Sequence, residues 1–286
     1  MKKIGFVGVG VMGRGMAKNL QKAGYELTIY THSKAKVEDL LASGMAWADS
    51  AGACAAAVDA VITMVGYPKD VEEVYFGENA ILANMKAGGY VIDMTTTSPK
   101  LSVRIAEEAA KKGIHALDAP VSGGDTGAQN GTLAIMVGGE QADFEACLPL
   151  FQAMGQNIRY EGKPGAGQHT KMANQIALGG AIAGVAEAIT YARANGLDLQ
   201  TMLDTISTGA AGSWQMTNNG PKMLNGDYAP GFFVKHYIKD LTIAAEGASD
   251  AQVALPVLDT VLGMYKALAD KGLANEGTQA LIEYFK

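Results

Sequence analysis

Two cysteines, Cys54 and Cys147, are all that 286 residues contain, and neither belongs to a CxxC pair. That scarcity excludes a disulfide framework and a thiolate zinc site, and it suits a reduced, cytoplasmic setting. Positive charge is also short. Lys and Arg number 23 against 29 Asp and Glu, leaving a formal net charge of −6, whereas a nucleic-acid partner requires a basic surface. The most apolar stretch, 176–186, is too short for a bilayer core of about 30 Å. It reads as a buried helix, and no membrane partner is expected. The four histidines, His32, His115, His169 and His236, lack ligand spacing, so no metal is expected. The apolar start, Ile4 to Val7, breaks at once into glycines and then Arg14 and Lys18, which marks a buried strand and not a leader.

What is present is an ordinary globular composition, 48% apolar and 18% charged, in a chain long enough for one large domain or two smaller ones. Short Val-, Ile- or aromatic-rich runs at 3–7, 26–30, 60–65, 90–94, 115–119 and 134–137 predict strands. Helical patterns at 12–23, 34–42, 71–76 and 101–112 alternate with them, which predicts an α/β domain with a largely parallel sheet covered on both faces. Past Pro164 strand signals cease. One long Ala-rich helix is predicted over 167–195, followed by helices at 199–206, 239–248, 256–270 and 278–285, with a Gly-, Asn- and Pro-rich connection at 207–231. The expected division is 1–163 for the α/β domain and 164–286 for an all-α domain.

The first strand runs directly into Gly8-Val9-Gly10-Val11-Met12-Gly13, and a helix follows. This is GxGxxG in its required strand–turn–helix setting, the fingerprint of a Rossmann dinucleotide-binding domain. Gly8 permits the tight turn, Gly10 admits a pyrophosphate to the backbone, and Gly13 lets helix and strand approach. The free N–H groups of the helix start then face the phosphates. After the second strand, an Asp or Glu would bind the ribose 2′-hydroxyl of NAD. Here Thr31-His32-Ser33-Lys34 offers donors and no acid, a set that suits a 2′-phosphate. NADP is therefore favoured over NAD.

Four stretches, Gly8–Leu20 (GVGVMGRGMAKNL), Asp118–Gly131 (DAPVSGGDTGAQNG), Gly165–Gln175 (GAGQHTKMANQ) and Lys235–Leu241 (KHYIKDL), together resemble the β-hydroxyacid dehydrogenase family. That family includes 3-hydroxyisobutyrate dehydrogenases and semialdehyde reductases. The resemblance implies an N-terminal Rossmann domain, a long interdomain helix and a helical C-terminal domain. It also implies a cofactor site that includes Met12, Met64, Val65, Thr96 and Lys239. Ser122, Gly123 and Gly124 would bind a substrate carboxylate through a hydroxyl and accessible backbone N–H groups. Phe232 and Asp240 would line the substrate side.

Lys171 is the expected proton-transferring residue. Hydride transfer to a carbonyl leaves an alkoxide that needs a proton, and a lysine whose pKa is lowered by burial or by charge supplies one. Asn174 and Gln175 follow at i+3 and i+4 on the same helical face, which places Asn174 to orient substrate oxygens. The expected substrate is a small carboxylic acid, and a homodimer or homotetramer is expected from the family and from the small-residue stretch 177–188. Two positions depart from family habit. Gln175 stands where many relatives have a second Asn, and His32 where NADP-using relatives often carry Arg. Imine reductases are a competing class that typically lacks this lysine; a non-enzymatic cofactor-binding sensor or scaffold is another. Trp214, in the glycine-rich connection, is either a closing residue or a packing anchor.

Overall fold

The computed structural model describes residues 1–286. It divides into two compact units, Met1–Lys171 and Met172–Lys286.

The first unit is built on one nine-stranded sheet. Its strands are β1 (Lys3–Val7), β2 (Glu26–Tyr30), β3 (Ala46–Trp47), β4 (Ala60–Thr63), β5 (Tyr90–Asp93), β6 (His115–Asp118), β7 (Val121–Ser122), β8 (Leu133–Gly138) and β9 (Gly155–Gly162). The order is β3-β2-β1-β4-β5-β6-β8-β7, with β9 on the other side of β8. From β3 to β6 every pairing is parallel. β8 runs antiparallel to β6 and β7, and β9 runs parallel to β8.

The central strands are apolar at nearly every position because both faces of the sheet are covered. Ile4, Phe6, Ile62 and Ile92 bury in one cluster, and Val7, Val61 and Val91 bury in another. Each such side chain contributes about 1.5–3 kcal/mol through burial. The chain leaves β1 toward β2 on one side and later returns to β4 on the other, so the order reverses between β1 and β4. In open α/β sheets, ligands bind outside the carboxyl ends of strands at such a reversal.

Helix starts follow local chemistry. Pro99 opens the helix Pro99–Ala110, since a helix needs no N–H at its first position. Asp70 caps Pro68–Phe76 by accepting the N–H of Tyr67 at 2.9 Å. The helix Ala166–Ala194 is 29 residues long, longer than its apolar centre, and by length and composition alone it could cross a membrane. Its inward side chains Met172, Ile182, Val185 and Ile189 instead join the core of the second unit. That unit is helical, with helices Leu199–Ser207, Gly220–Asn225, Val234–Asp250 and Pro256–Asp270 and a closing 3₁₀ stretch, Thr278–Phe285.

Several elements differ from expectation. The 34–42 segment splits into a 3₁₀ turn, Lys34–Val37, and a short helix, Glu38–Ala42. The connection 207–231 contains a π turn, Gln215–Asn219, that leads directly into Gly220–Asn225. Ser122 ends the short strand β7, and Gly124 begins a helix, Gly124–Asn130. Both thiols are buried and unpaired, and burial pushes each up to about 12.

Candidate active site

The glycine turn shows why each glycine is there. Gly8 has φ +95°, and a Cβ on it would sit 2.3 Å from the Met64 carbonyl oxygen. A Cβ on Gly13 would lie 2.1 Å from the Gly8 oxygen. At Gly10 a Cβ would meet nothing within 4 Å. Gly10 is therefore not needed for packing, and the space above it is open to a ligand. Val11 beside it is 65% exposed, and the helix it opens, Val11–Lys22, carries neither a side-chain cap nor an acid in its first turn. Uncapped N–H groups facing open space fit a dinucleotide pyrophosphate. Val9, by contrast, is buried in the core, and Met12 packs against the same cluster.

Of the predicted cofactor residues outside the turn, Met64 and Val65 adjoin it. Gly8 N–H donates to Tyr30 O at 2.9 Å, tying the turn to the end of β2 just before Thr31. The backbone of Met64 and the side chain of Val65 abut Gly8. Val65 N–H donates to Thr95 Oγ1 at 3.0 Å, next to Thr96. Beyond β2, Lys34 Nζ lies 5.4 Å over the Trp47 ring, and His32 meets Tyr30 edge-on at 6.3 Å. Arg14 donates to both oxygens of Asp39 at 2.6 Å and also to the Lys36 carbonyl. The nearby acid Asp39 is thus bound to Arg14, and the Lys34–Val37 turn is pinned to the first helix.

Ser122 is half-buried, and Gly123 and Gly124 are exposed with φ +131° and +65°. The helix they start is held to Val11–Lys22: Asn19 Nδ2 donates to Ala128 O at 2.8 Å. Gly15 allows that closeness, because a Cβ there would strike the Ala128 backbone.

A buried network unforeseen from sequence fixes the start of the Lys171 helix. Asp118 accepts the N–H of Gly165 at 2.7 Å and that of Gln168 at 2.9 Å. Gln168 Nε2 donates to Thr95 O at 2.7 Å, and its Oε1 accepts Thr97 N–H at 3.0 Å. Asp93, in register with Asp118 on the neighbouring strand, accepts from Thr63 Oγ1 at 2.7 Å and Thr95 N–H at 3.1 Å. Burial pushes its carboxyl up to about 6 against the pull of those bonds, with Asp118 adding repulsion. Burial also raises Asp118, opposed by the N–H groups of Gly165 and Gln168. Lys171, one turn past Gln168, is itself buried.

Further along the same helix, Asn174 Nδ2 donates to Gln175 Oε1 at 2.7 Å, and Gln175 Nε2 donates to Asp240 Oδ2 at 2.6 Å. Asp240 Oδ1 lies 3.0 Å from Lys239 Nζ, an ion contact without hydrogen-bond alignment. Tyr237 OH donates to Gln175 O at 2.9 Å, and Phe232 packs on the Tyr237 ring at 5.5 Å. Asn174, Asp240, Lys239 and Phe232 therefore belong to one cluster. Gln175, the departure from family habit, is its hub. Trp214 is 66% exposed at the entrance to the π turn. No group of three or more His, Cys, Asp or Glu side chains is arranged to hold a metal ion.

The profile of the NAD binding domain of 6-phosphogluconate dehydrogenase matches residues 3–162. A second profile, described as the NAD-binding domain of NADP-dependent 3-hydroxyisobutyrate dehydrogenase, matches residues 165–285. The chain belongs to the β-hydroxyacid dehydrogenase family. It is 53% identical to an uncharacterized oxidoreductase of Bacillus subtilis (strain 168), over 98% of this chain and 97% of the relative. It is 35% identical to an NAD-dependent L-serine dehydrogenase of Pseudomonas aeruginosa, over 100% and 98%. A 3-hydroxyisobutyrate dehydrogenase from Mycobacterium tuberculosis, solved with L-serine, superposes with a TM-score of 0.91 at 31% identity, covering 100% of this chain and 99% of that one. This dehydrogenase is thus an NAD(P)-dependent oxidoreductase acting on the hydroxyl group of β-hydroxyacids, with a Rossmann domain followed by a helical domain.

Proposed function

We propose that the enzyme interconverts a small β-hydroxyacid and its semialdehyde with NADP as the preferred cofactor and Lys171 as general acid and base. The observation that carries the reading is Lys171 itself. It is buried on a helix whose first turn is bonded to the sheet through Asp118, and Asn174 follows on the same face. A lysine held out of bulk water can exchange a proton directly with a substrate oxygen bound against it.

The bound nicotinamide supplies or accepts the hydride. In oxidation, the neutral Lys171 amine takes the substrate O–H proton as the adjacent C–H bond gives up hydride; in reduction, the ammonium returns that proton to the alkoxide. Ser122 and the Gly123 and Gly124 N–H groups receive the substrate carboxylate, and Asn174 orients the reacting oxygen. Gly8 to Gly13, Met64, Val65 and Thr96 hold the dinucleotide. Thr31, His32, Ser33 and Lys34 receive the 2′-phosphate, and the carboxylate of nearby Asp39 is taken up by Arg14.

A homodimer or homotetramer is part of the proposal. Tyr191, Leu197 and Val257 are each more than half exposed in the helical unit, and sedimentation at micromolar concentration checks it; a monomer alone would refute it. A cytoplasmic location accords with two buried, unpaired thiols.

The primary test follows NADPH and NADH separately with glyoxylate and with succinic, tartronate and methylmalonate semialdehydes. Consumption of NADPH with one of them, lost in Lys171→Ala while cofactor binding persists, supports the proposal. Cofactor binding with no turnover across the panel refutes it.

A further inference from the structure

Four buried side-chain oxygens in the protein lack a hydrogen-bond partner, and two of them border one cavity. They are Asp93 Oδ2, at the end of β5, and Ser102 Oγ, in the first turn of the helix Pro99–Ala110. Their residues are 2% and 5% exposed. The cavity has a volume of about 10 Å³ and is otherwise walled by Ile105, Ala106, Ala116, Leu117 and Pro164, with Asp118 beside Asp93.

A carboxylate oxygen and a hydroxyl buried without partners are both costly, so the site favours an occupant that can pair with each. A single water needs about 10–15 Å³ and two to four polar partners. We infer that Asp93, Ser102 and the strand ends around them form a binding site for one internal water, which donates to Asp93 Oδ2 and pairs with Ser102 Oγ.

The occupant follows from the chemistry of the wall. A sodium or calcium ion takes roughly six or more oxygens, and this cavity offers the oxygens of Asp93, Ser102 and Asp118 among apolar side chains. Direct carboxyl-to-hydroxyl bonding would need no third party, yet the two side chains are not hydrogen-bonded to each other. The position gives the water a task. Pro164, in its wall, immediately precedes Gly165, whose N–H Asp118 holds. The water therefore joins the Pro99–Ala110 helix to the strand pair that anchors the Lys171 helix. None of this depends on the proposed substrate or cofactor.

The experiment is a high-resolution crystal structure of the wild-type protein at neutral pH, with a second of Ser102→Val, whose methyl groups fill the cavity. The expected wild-type result is one density peak within hydrogen-bond distance of both oxygens, without anomalous signal after a rubidium soak. Ser102→Val loses the peak, and oxygen-17 relaxation dispersion in solution counts one long-lived water fewer. An empty cavity with Asp93 bonded directly to Ser102 overturns the inference, as does a peak that exchanges with rubidium. If Ser102→Val does not fold, the wild-type map decides alone.

Discussion

Asp118 Oδ2 accepts the backbone N–H of Gln168 at 2.9 Å, and Gln168 stands three residues before Lys171. Together with the Gly165 bond, this makes a strand-end carboxylate the anchor for the turn that presents the proposed proton-transfer group. A carboxylate accepts at both oxygens, whereas an amide accepts at one. Asp118→Asn therefore leaves one buried N–H facing an NH₂ group. The variant should unfold about 1–3 kcal/mol more easily, and its kcat should fall by more than its KM rises. Urea titration and steady-state kinetics read the two effects; wild-type kcat in the folded variant would separate the anchor from catalysis.

Lys171→Ala should reduce kcat by about 10²–10⁴-fold, the span of a general acid–base group. NADPH affinity, measured by fluorescence titration, should change little. A fall in affinity parallel to kcat would mean that the lysine holds cofactor and does not move a proton.

Gly10 and Gly13 should respond differently to one added methyl. Gly13→Ala places a Cβ against the Gly8 backbone and should destabilise the fold. Gly10→Ala has free space within the protein, so its melting temperature should match wild type while cofactor affinity drops at least tenfold, about 1.4 kcal/mol. Retained affinity would show that the pyrophosphate does not pass over Gly10.

Replacing Thr31 with Asp should reverse cofactor choice. The added carboxylate repels a 2′-phosphate and can accept from a 2′-hydroxyl. KM for NADPH should rise by about tenfold or more, with kcat/KM for NADH equal or higher. Equal losses with both cofactors would place the 2′ position elsewhere.

Asp93 gives a pH signature of unusual sign. Its folded pKa, about 6, is above the ordinary 3.8, so between those values the native state binds more protons than the unfolded state. Stability contributed by this group is greatest below about pH 4 and is lost as pH rises through 6, by about 3 kcal/mol in all. Asp93→Asn removes the titration. Relative to wild type, the variant should therefore gain stability from pH 4 to 7, as measured by denaturant unfolding across that range. A constant difference would contradict the raised pKa.

Much of the fold could be read ahead because β1, β4 and β5 are buried on both faces and carry short apolar runs, while β2 alternates buried with part-exposed positions. β9, GQNIRYEG, is mostly exposed and polar, so nothing in its residues marked a strand. The helix Gln141–Met154 has Pro149 within it and a weakly defined apolar face, and it went unforeseen. The glycine turn was legible because its chemistry is local. Asp118 and Gln168 were not, since their partnership spans 50 residues and neither has a meaning alone. Arg14 and Trp47 likewise acquire roles only once Asp39 and Lys34 are folded against them.

The contacts between Asn174, Gln175 and Asp240 have an orientation as well as a length. A carboxylate can only accept, so Asp240 dictates that Gln175 turn its NH₂ inward, and Gln175 must then show its carbonyl to Asn174. Asn174 answers with its own NH₂, which leaves its carbonyl oxygen outside this chain of bonds as an acceptor. A single negative charge thus sets the polarity of an amide two links away, and either amide left alone could rotate by half a turn. The face that Asn174 presents is in this sense written by a side chain to which it is not itself bonded.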